Sequence, residues 1–371
     1  MTQGAVLERP ISPVERDEVD ELARLFELPL LQVGAQAADR MREQSPDGTV
    51  SYILDRNINY TNVCITDCSF CAFYRRPGDS EAYVLSHEEI GAKIDEAREI
   101  GAVQILMQGG HNPYLRLEYY TDLLRFIKES HPIHVHGFSA SELDIIARVE
   151  KMSIPAVLEA LVEAGLDSVP GAGAEILVDD VRAEIAKKKI GTARWLDIHR
   201  AAHEGGLLTS ATMMFGAGES RADRIEHMLR IRDLQAETGG FTAFIPWTLQ
   251  PEGTGMAGAE EATATEYLKT VAISRLVIHN IQNFQVSYVT QGPKVAQVAL
   301  HFGCNDFGSL MMEENVVSAT GTDFIMPKEE IVRLIEEAGY RAVSRYQDYS
   351  PVDPGLDWYC GCAVCRSRQA S

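Results

Sequence analysis

From residue 58 onward, short apolar runs of strand length alternate with longer stretches of helical periodicity, which is the pattern of a parallel sheet with crossover helices. Strands are expected at 58–60, 103–108, 133–138, 168–176, 209–215, 241–246, 284–289 and 305–310. Helices are expected at 86–100, 117–130, 153–164, 192–205, 220–238, 264–280, 292–302 and 328–337. Ser86 followed by Glu89 has the spacing of a capping box that opens the first of these helices. A doubly wound open sheet alternates in the same way. The count of eight strands favours closure, so the expected fold class is α/β, a (β/α)8 TIM-type barrel. Residues 1–50 read as an N-terminal helical extension with one or two helices between 12 and 46, residues 51–349 as the barrel, and residues 350–371 as a short Cys-rich C-terminal tail.

A chain of 371 residues, 45% hydrophobic and 24% charged, buries a substantial core, so disorder is not expected. The formal charge of −20 repels a phosphate backbone, and the basic residues are not clustered, so nucleic acid is not an expected partner. The N-terminus has no basic start followed by an apolar stretch, and no segment approaches the ~18 uninterrupted apolar residues of a membrane span. A cytoplasmic protein with no membrane partner is expected. Seven cysteines grouped as three, one and three in such a chain point to metal rather than to disulfides.

The first group, Cys64, Cys68 and Cys71 in NINYTNVCITDCSFCAFYR, has the spacing C-x3-C-x2-C directly after the first expected strand. Three thiolates on one short loop hold three irons of a [4Fe–4S] cubane and leave the fourth iron open to a small ligand. A structural zinc site wants a fourth protein ligand, and no histidine or cysteine follows at zinc-finger spacing; reduced thiols in a core are the other alternative. Gly109 and Gly110 end the second expected strand in ILMQGGHNP, at the face where barrels keep their active sites. They suit either a close approach of backbone to a ligand or a plain turn. Polar residues stand at further strand ends: His134, His136 and Ser139, then Glu175, Glu219, Gln250, Gln291, and Asn305 with Asp306. Convergence of such residues makes a barrel-top pocket, while each alone also suits a backbone-satisfying role. The tail cysteines Cys360, Cys362 and Cys365 form C-x-C-x2-C, a spacing able to clasp a second metal, with Cys304 as a possible fourth ligand.

The cysteine spacing, with Phe70 immediately before the last cysteine, resembles the signature of the radical S-adenosylmethionine (SAM) superfamily. That resemblance implies a cluster whose open iron is chelated by the amino and carboxylate groups of SAM, and one-electron cleavage to methionine and a 5′-deoxyadenosyl radical. It places Phe70 and Tyr74 against the nucleoside, and Gly109 and Gly110 at the methionyl amino group. Ser139 and Glu175 join them as expected cofactor contacts. Read together, DRNINYTNVC, HGFSASE, GAGAEILVDDVR, TGGFTAFIPWT, VTQGPKVAQVAL and NDFGSLMMEENVVSATG resemble the cyclic dehypoxanthinyl futalosine synthase family of menaquinone biosynthesis, over about residues 51–322. One departure stands out: after ATMMFG that family commonly has His-Val-Glu, whereas here Ala217, Gly218 and Glu219 follow, so the histidine's part is either absent or supplied from elsewhere, with His111 as a candidate. The tail lies beyond the resemblance, and the implied chemistry does not need it.

The resemblance implies dehypoxanthine futalosine as substrate. The deoxyadenosyl radical takes hydrogen from ribose C4′, the carbon radical adds to the aryl ring, and loss of a proton and an electron restores aromaticity. Glu219 and Asp306 are the candidate bases. Arg75 and Lys294 are candidate cations for the substrate carboxylate, and His136, Gln250, Gln291 and Asn305 complete the expected substrate contacts. An electron donor such as flavodoxin or ferredoxin is the implied protein partner. The neighbouring alternatives are an aminofutalosine synthase, a deazaflavin synthase subunit, and, outside enzymes, an iron–sulfur carrier, which requires four protein ligands per cluster and no polar pocket.

Overall fold

A computed structural model describes residues 14–352, apart from 311, 314, 316 and 322–325, so Cys360, Cys362 and Cys365 lie outside the described residues. The chain opens with the helices Arg16–Ala23 and Leu30–Gln44, joined by a 3-10 turn at Arg24–Glu27. The strands are β1 (Thr49–Ile53), β2 (Asp55–Ile58), β3 (Gln104–Met107), β4 (His134–Gly137), β5 (Ser168–Val169), β6 (Leu208–Phe215), β7 (Phe241–Thr248), β8 (Asn283–Phe284), β9 (Asp306–Ser309) and β10 (Arg341–Ser344). β2 to β8 form one parallel sheet in sequence order, and β10, β1 and β9 form a second parallel sheet.

The two sheets make one ring. β1 runs into β2 across the single residue Leu54, and β9 pairs with β1 on one side while bridging to the end of β8 on the other through Gln285 and Asp306. The Val286 N–H donates to the Asp306 carbonyl at 3.0 Å and the Asn305 N–H to the Phe284 carbonyl at 3.1 Å. Counting β1 and β2 as one bent strand, eight strands surround the axis, the count expected of the barrel. β10 lies outside, against β1.

The helices follow the crossover rule, and their starts are set by local chemistry. Ser86 and Glu89 form the expected capping box, with the Ser86 N–H donating to Glu89 Oε2 at 2.7 Å; Ser139 with Glu142 and Ser220 with Asp223 repeat the device. Two helices, Ala140–Glu150 and Asp179–Ile185, were not expected from periodicity. Ala140–Glu150 buries Ser141, Glu142 and Asp144 among its apolar residues, which interrupts the hydrophobic stripe that marks a helix in sequence. The first expected strand is also displaced, because β2 ends at Ile58 and pairing begins at Thr49. Asp55 and Asn57 face the barrel interior while Arg56 reaches out to Glu96 and Glu313, so polar residues on both faces erase the apolar run.

The N-terminal end of the barrel is closed by the chain itself. After β10, the segment 345–349 turns under the ring and lines the interior with Arg345, Gln347 and Tyr349. Arg345 pairs with Asp306 at 2.5 and 3.0 Å and stacks over the Tyr349 ring at 3.9 Å. Asp306 also accepts from Ser51 Oγ at 2.5 Å. Asn305 donates to Ser45 and accepts from the buried guanidinium of Arg275, which in turn holds Gln44 of the N-terminal helix. Asp306 and Asn305, expected as base and substrate contact, are not among the residues that line the cavity; at the start of β9 they bond instead to Arg345 of the floor and to Arg275.

Candidate functional site

The ring encloses a cavity of about 370 Å³ that runs from the loop after β2 down to the segment 345–349. Cys64, Cys68 and Cys71 line its mouth. The loop that carries them is closed by the backbone of Arg75: the Cys64 N–H donates to the Arg75 carbonyl at 2.9 Å and the Arg75 N–H to the Asn62 carbonyl at 2.8 Å. The Arg75 guanidinium folds back on the loop, donating to the carbonyls of Ala72 and Tyr74 at 3.2 and 3.0 Å and to Glu81 at 2.6 Å. Arg75, expected as the substrate's cation, thus clasps the cysteine loop and is not among the residues that line the cavity.

The two glycines after β3 have a structural use. A Cβ on Gly109 would come within 2.6 Å of the Tyr60 ring, and one on Gly110 would overlap the Val63 carbonyl beside Cys64. Their missing side chains let the cysteine loop lie directly on the end of β3, with both glycines exposed to the cavity. Glu142 fastens the arrangement: it accepts from the Gly109 N–H at 2.9 Å, Tyr60 OH at 2.7 Å, and the Ser139 N–H and Oγ at 2.8 and 2.6 Å. Burial raises its carboxyl above the usual range, and the bonds from Ser139 and Tyr60 offset this. Ser139 lines the cavity while serving as the cap of its helix.

Glu175 and Lys189 form a buried ion pair at 2.6 Å beside the cysteines, with the Lys189 Nζ 5.3 Å above the Phe70 ring. Glu175 sits in the left-handed backbone region at φ 43, held by that pair and by the Met214 N–H on its carbonyl at 3.0 Å. Burial pushes the Cys68 thiol up to about 11, against the pull of the nearby ammonium. Burial also lowers His111 to about 3 and His136 well below the usual range, which disfavours the charged form of both imidazoles. His136 lines the cavity and meets Ser168 Oγ at 2.7 Å.

Ten of the expected site residues therefore line one cavity: the three cysteines, Phe70, Tyr74, Gly109, Gly110, Ser139, Glu175 and His136. Arg75, His134, Lys294, Asn305, Asp306 and Glu219 do not, nor do Gln250 and Gln291, which both donate to Thr248 Oγ1 at the end of β7. Glu219 accepts from the N–H groups of Gly216 and Ala217 at 2.8 Å and pairs with Arg224 at 2.7 Å, which fixes the turn before the next helix. Ala217, where the resembled family has histidine, packs in an apolar group with Cys68, Met214 and Leu249. Sequence reading missed Tyr60, Glu142 and Lys189. Ser139-x-x-Glu142 is a legible capping box, but Lys189 ends a run of three lysines that reads as a solvated face. Glu175→Gln is expected to lower turnover at least about 10-fold with iron content retained, whereas Glu219→Gln should leave turnover within about 2-fold and cost about 1–3 kcal/mol in denaturant unfolding.

The donor set fits a cluster. Three thiols on one short loop share one cavity mouth, and a cubane takes its thiolates on separate irons.

Residues 58–231 match the radical SAM superfamily, and residues 238–356 match the CofH/MqnC C-terminal region. The chain is 47% identical over 351 residues to the cyclic dehypoxanthine futalosine synthase of Halalkalibacterium halodurans, covering 94% of this chain and 95% of that protein. It is 43% identical to the protein of the same name from Streptomyces coelicolor, covering 92% and 87% of the two chains. The 5-amino-6-(D-ribitylamino)uracil–L-tyrosine 4-hydroxyphenyl transferase of Methanopyrus kandleri is 42% identical, covering 85% and 88%. Among solved structures, methylornithine synthase (PylB) superposes with a TM-score of 0.67 at 17% identity over 89% of this chain and 94% of that one. The hydrogenase maturase HydG superposes with a TM-score of 0.68 at 14% identity over 89% and 77%. These two likenesses concern the fold. No helix among the described residues is long and apolar enough to cross a membrane.

Proposed function

This chain belongs to the radical SAM superfamily and carries the CofH/MqnC C-terminal region, and on that premise we propose that it cyclises dehypoxanthine futalosine to cyclic dehypoxanthinyl futalosine in menaquinone biosynthesis. The observation that carries the reading is the 47% identity that runs through 94% of this chain and 95% of the Halalkalibacterium halodurans synthase. Cys64, Cys68 and Cys71 would hold the [4Fe–4S] cluster. When bound, the cluster and SAM supply a 5′-deoxyadenosyl radical.

The protein's own part is binding, orientation and exclusion of water. Lys189 offers a cation for the methionyl carboxylate beside the cysteine loop, and Glu175 offers an anion for the ammonium. Phe70 and Tyr74 flank the nucleoside side of the mouth, and Gly109 and Gly110 leave room at the end of β3. Below them the substrate occupies the barrel interior, sealed at the floor by Arg345, Gln347 and Tyr349. Among the described residues lining the cavity, Asp55 is the carboxylate deepest in the barrel, bonded to Ser309 and Gln104 Nε2, and it replaces Glu219 and Asp306 as the candidate base. A low-potential donor such as flavodoxin or ferredoxin would deliver the electron, in the cytoplasm.

Anaerobic incubation of the reconstituted protein with SAM, a reductant and dehypoxanthine futalosine should give free 5′-deoxyadenosine together with a product lighter than the substrate by two hydrogens. An adenosyl group covalently joined to the product would instead indicate aminofutalosine-type chemistry. The 42% identity to the Methanopyrus kandleri transferase favours a second reading, so 5-amino-6-(D-ribitylamino)uracil with L-tyrosine belongs in the same assay. Turnover of that pair, with none of the futalosine, would reverse the assignment.

A further inference from the structure

The interior of this barrel has two unlike walls. Alternate residues of β2 and its extension face inward, and three of them, Asp55, Asn57 and Asn59, are polar and line the cavity. β3 runs beside β2 with Asp55 opposite Gln104 and Asn57 opposite Leu106, and it adds Gln104 and Gln108 to the same wall. Barrel interiors are ordinarily filled by branched aliphatic residues, so carboxamides on adjacent strands are a departure. Across the cavity, β7 contributes Ala243, Ile245 and Trp247, and the segment after β8 adds Val286 and Val289 between the polar Gln285, Ser287 and Thr290.

Two atoms of the polar wall have no partner. Asn57 Oδ1 and Gln104 Oε1 are buried without a hydrogen bond, in residues each 3% exposed. The orientation of Gln104 is fixed by chemistry, because its Nε2 donates to Asp55 Oδ2 at 2.9 Å, leaving Oε1 as the unpartnered acceptor of a residue that lines the cavity. Asn57 Nδ2 has only a long contact of 3.4 Å to Asn59 Oδ1, so turning the amide over would still leave one of its groups unsatisfied. Buried polar groups without partners are costly, and a hydroxyl, which both donates and accepts, satisfies either amide atom.

We infer that Asn57 and Gln104 form the subsite for the hydroxyl groups of a ribosyl ring, held against β2 and β3, while the aryl ring of the same substrate lies on the apolar wall of Ile245 and Trp247. This rests on the function proposed above for the identity of the ligand. The pose sets the sugar and the ring on opposite sides of one narrow cavity, the arrangement needed to join a sugar carbon to an aromatic carbon.

The test crosses enzyme variants with substrate analogues. Wild type, Asn57→Leu and Gln104→Met are each assayed for kcat/KM with dehypoxanthine futalosine and with its 2′-deoxy and 3′-deoxy ribosyl analogues. Each variant should lose about 10- to 100-fold on the full substrate but less than about 3-fold further on the analogue that lacks the hydroxyl it binds. Asn57→Asp, which keeps an acceptor in the same shape, should retain discrimination against the deoxy analogue. Iron content and cleavage of SAM without substrate report whether each variant is folded. Equal losses on all three compounds in folded variants overturn this assignment alone. A wild type that does not turn over dehypoxanthine futalosine overturns the functional reading, and this assignment with it.

Discussion

Alanine in place of any one of Cys64, Cys68 or Cys71 should remove most of the cluster absorbance of the reconstituted protein and cut SAM cleavage at least about 100-fold. Each thiolate would hold a different iron, so the two remaining ligands could not compensate, and the loop itself stays in place because Arg75 clasps its carbonyls. Gly110 lies directly under Cys64, which limits how far a substituted loop can rearrange. Circular dichroism of the apoproteins should therefore be unchanged. A variant that kept full cleavage, measured as 5′-deoxyadenosine released under anaerobic conditions, would remove its cysteine from the cluster.

The second large effect is one of stability. Arg345 and Asp306 are 3% and 0% exposed, so their ion pair is not screened by solvent. Arg345→Met strands the Asp306 carboxylate in the barrel floor and should cost about 3–5 kcal/mol in denaturant unfolding. Asp306→Asn introduced with it should recover most of that loss, because the neutral amide keeps a partner for Ser51 and no charge is left buried. Failure of the double variant to recover would mean that the guanidinium matters chiefly through its stacking on Tyr349 and its bond to the Tyr346 carbonyl. The experiment also bears on the cavity, since the residues that would shift are those that seal it.

The sequence by itself determined the βα alternation, the eight strands and the cysteine loop, because each is written in contiguous residues. Periodicity needs only neighbours along the chain, and three thiols within eight positions lie on one short segment in any fold. The capping box at Ser86 was legible for the same reason. Glu219 and Asp306 show where such reading ends. Both follow or open a strand and both carry the right chemistry, yet Arg224, five residues along, pairs with Glu219, and Arg345, just beyond β10, pairs with Asp306. A carboxylate's role depends on its partner, and a partner 39 positions away in sequence, as Arg345 is from Asp306, leaves no local mark. Asp55, Asn57 and Gln104 present the opposite case. As a string they look too polar for a barrel strand, and only closure of the ring turns alternate side chains into a polar interior wall. Tertiary structure likewise decided that Lys189 leaves its lysine run to pair with Glu175, since the buried carboxylate offers what solvent does elsewhere, and that the segment 345–349 returns to floor the cavity.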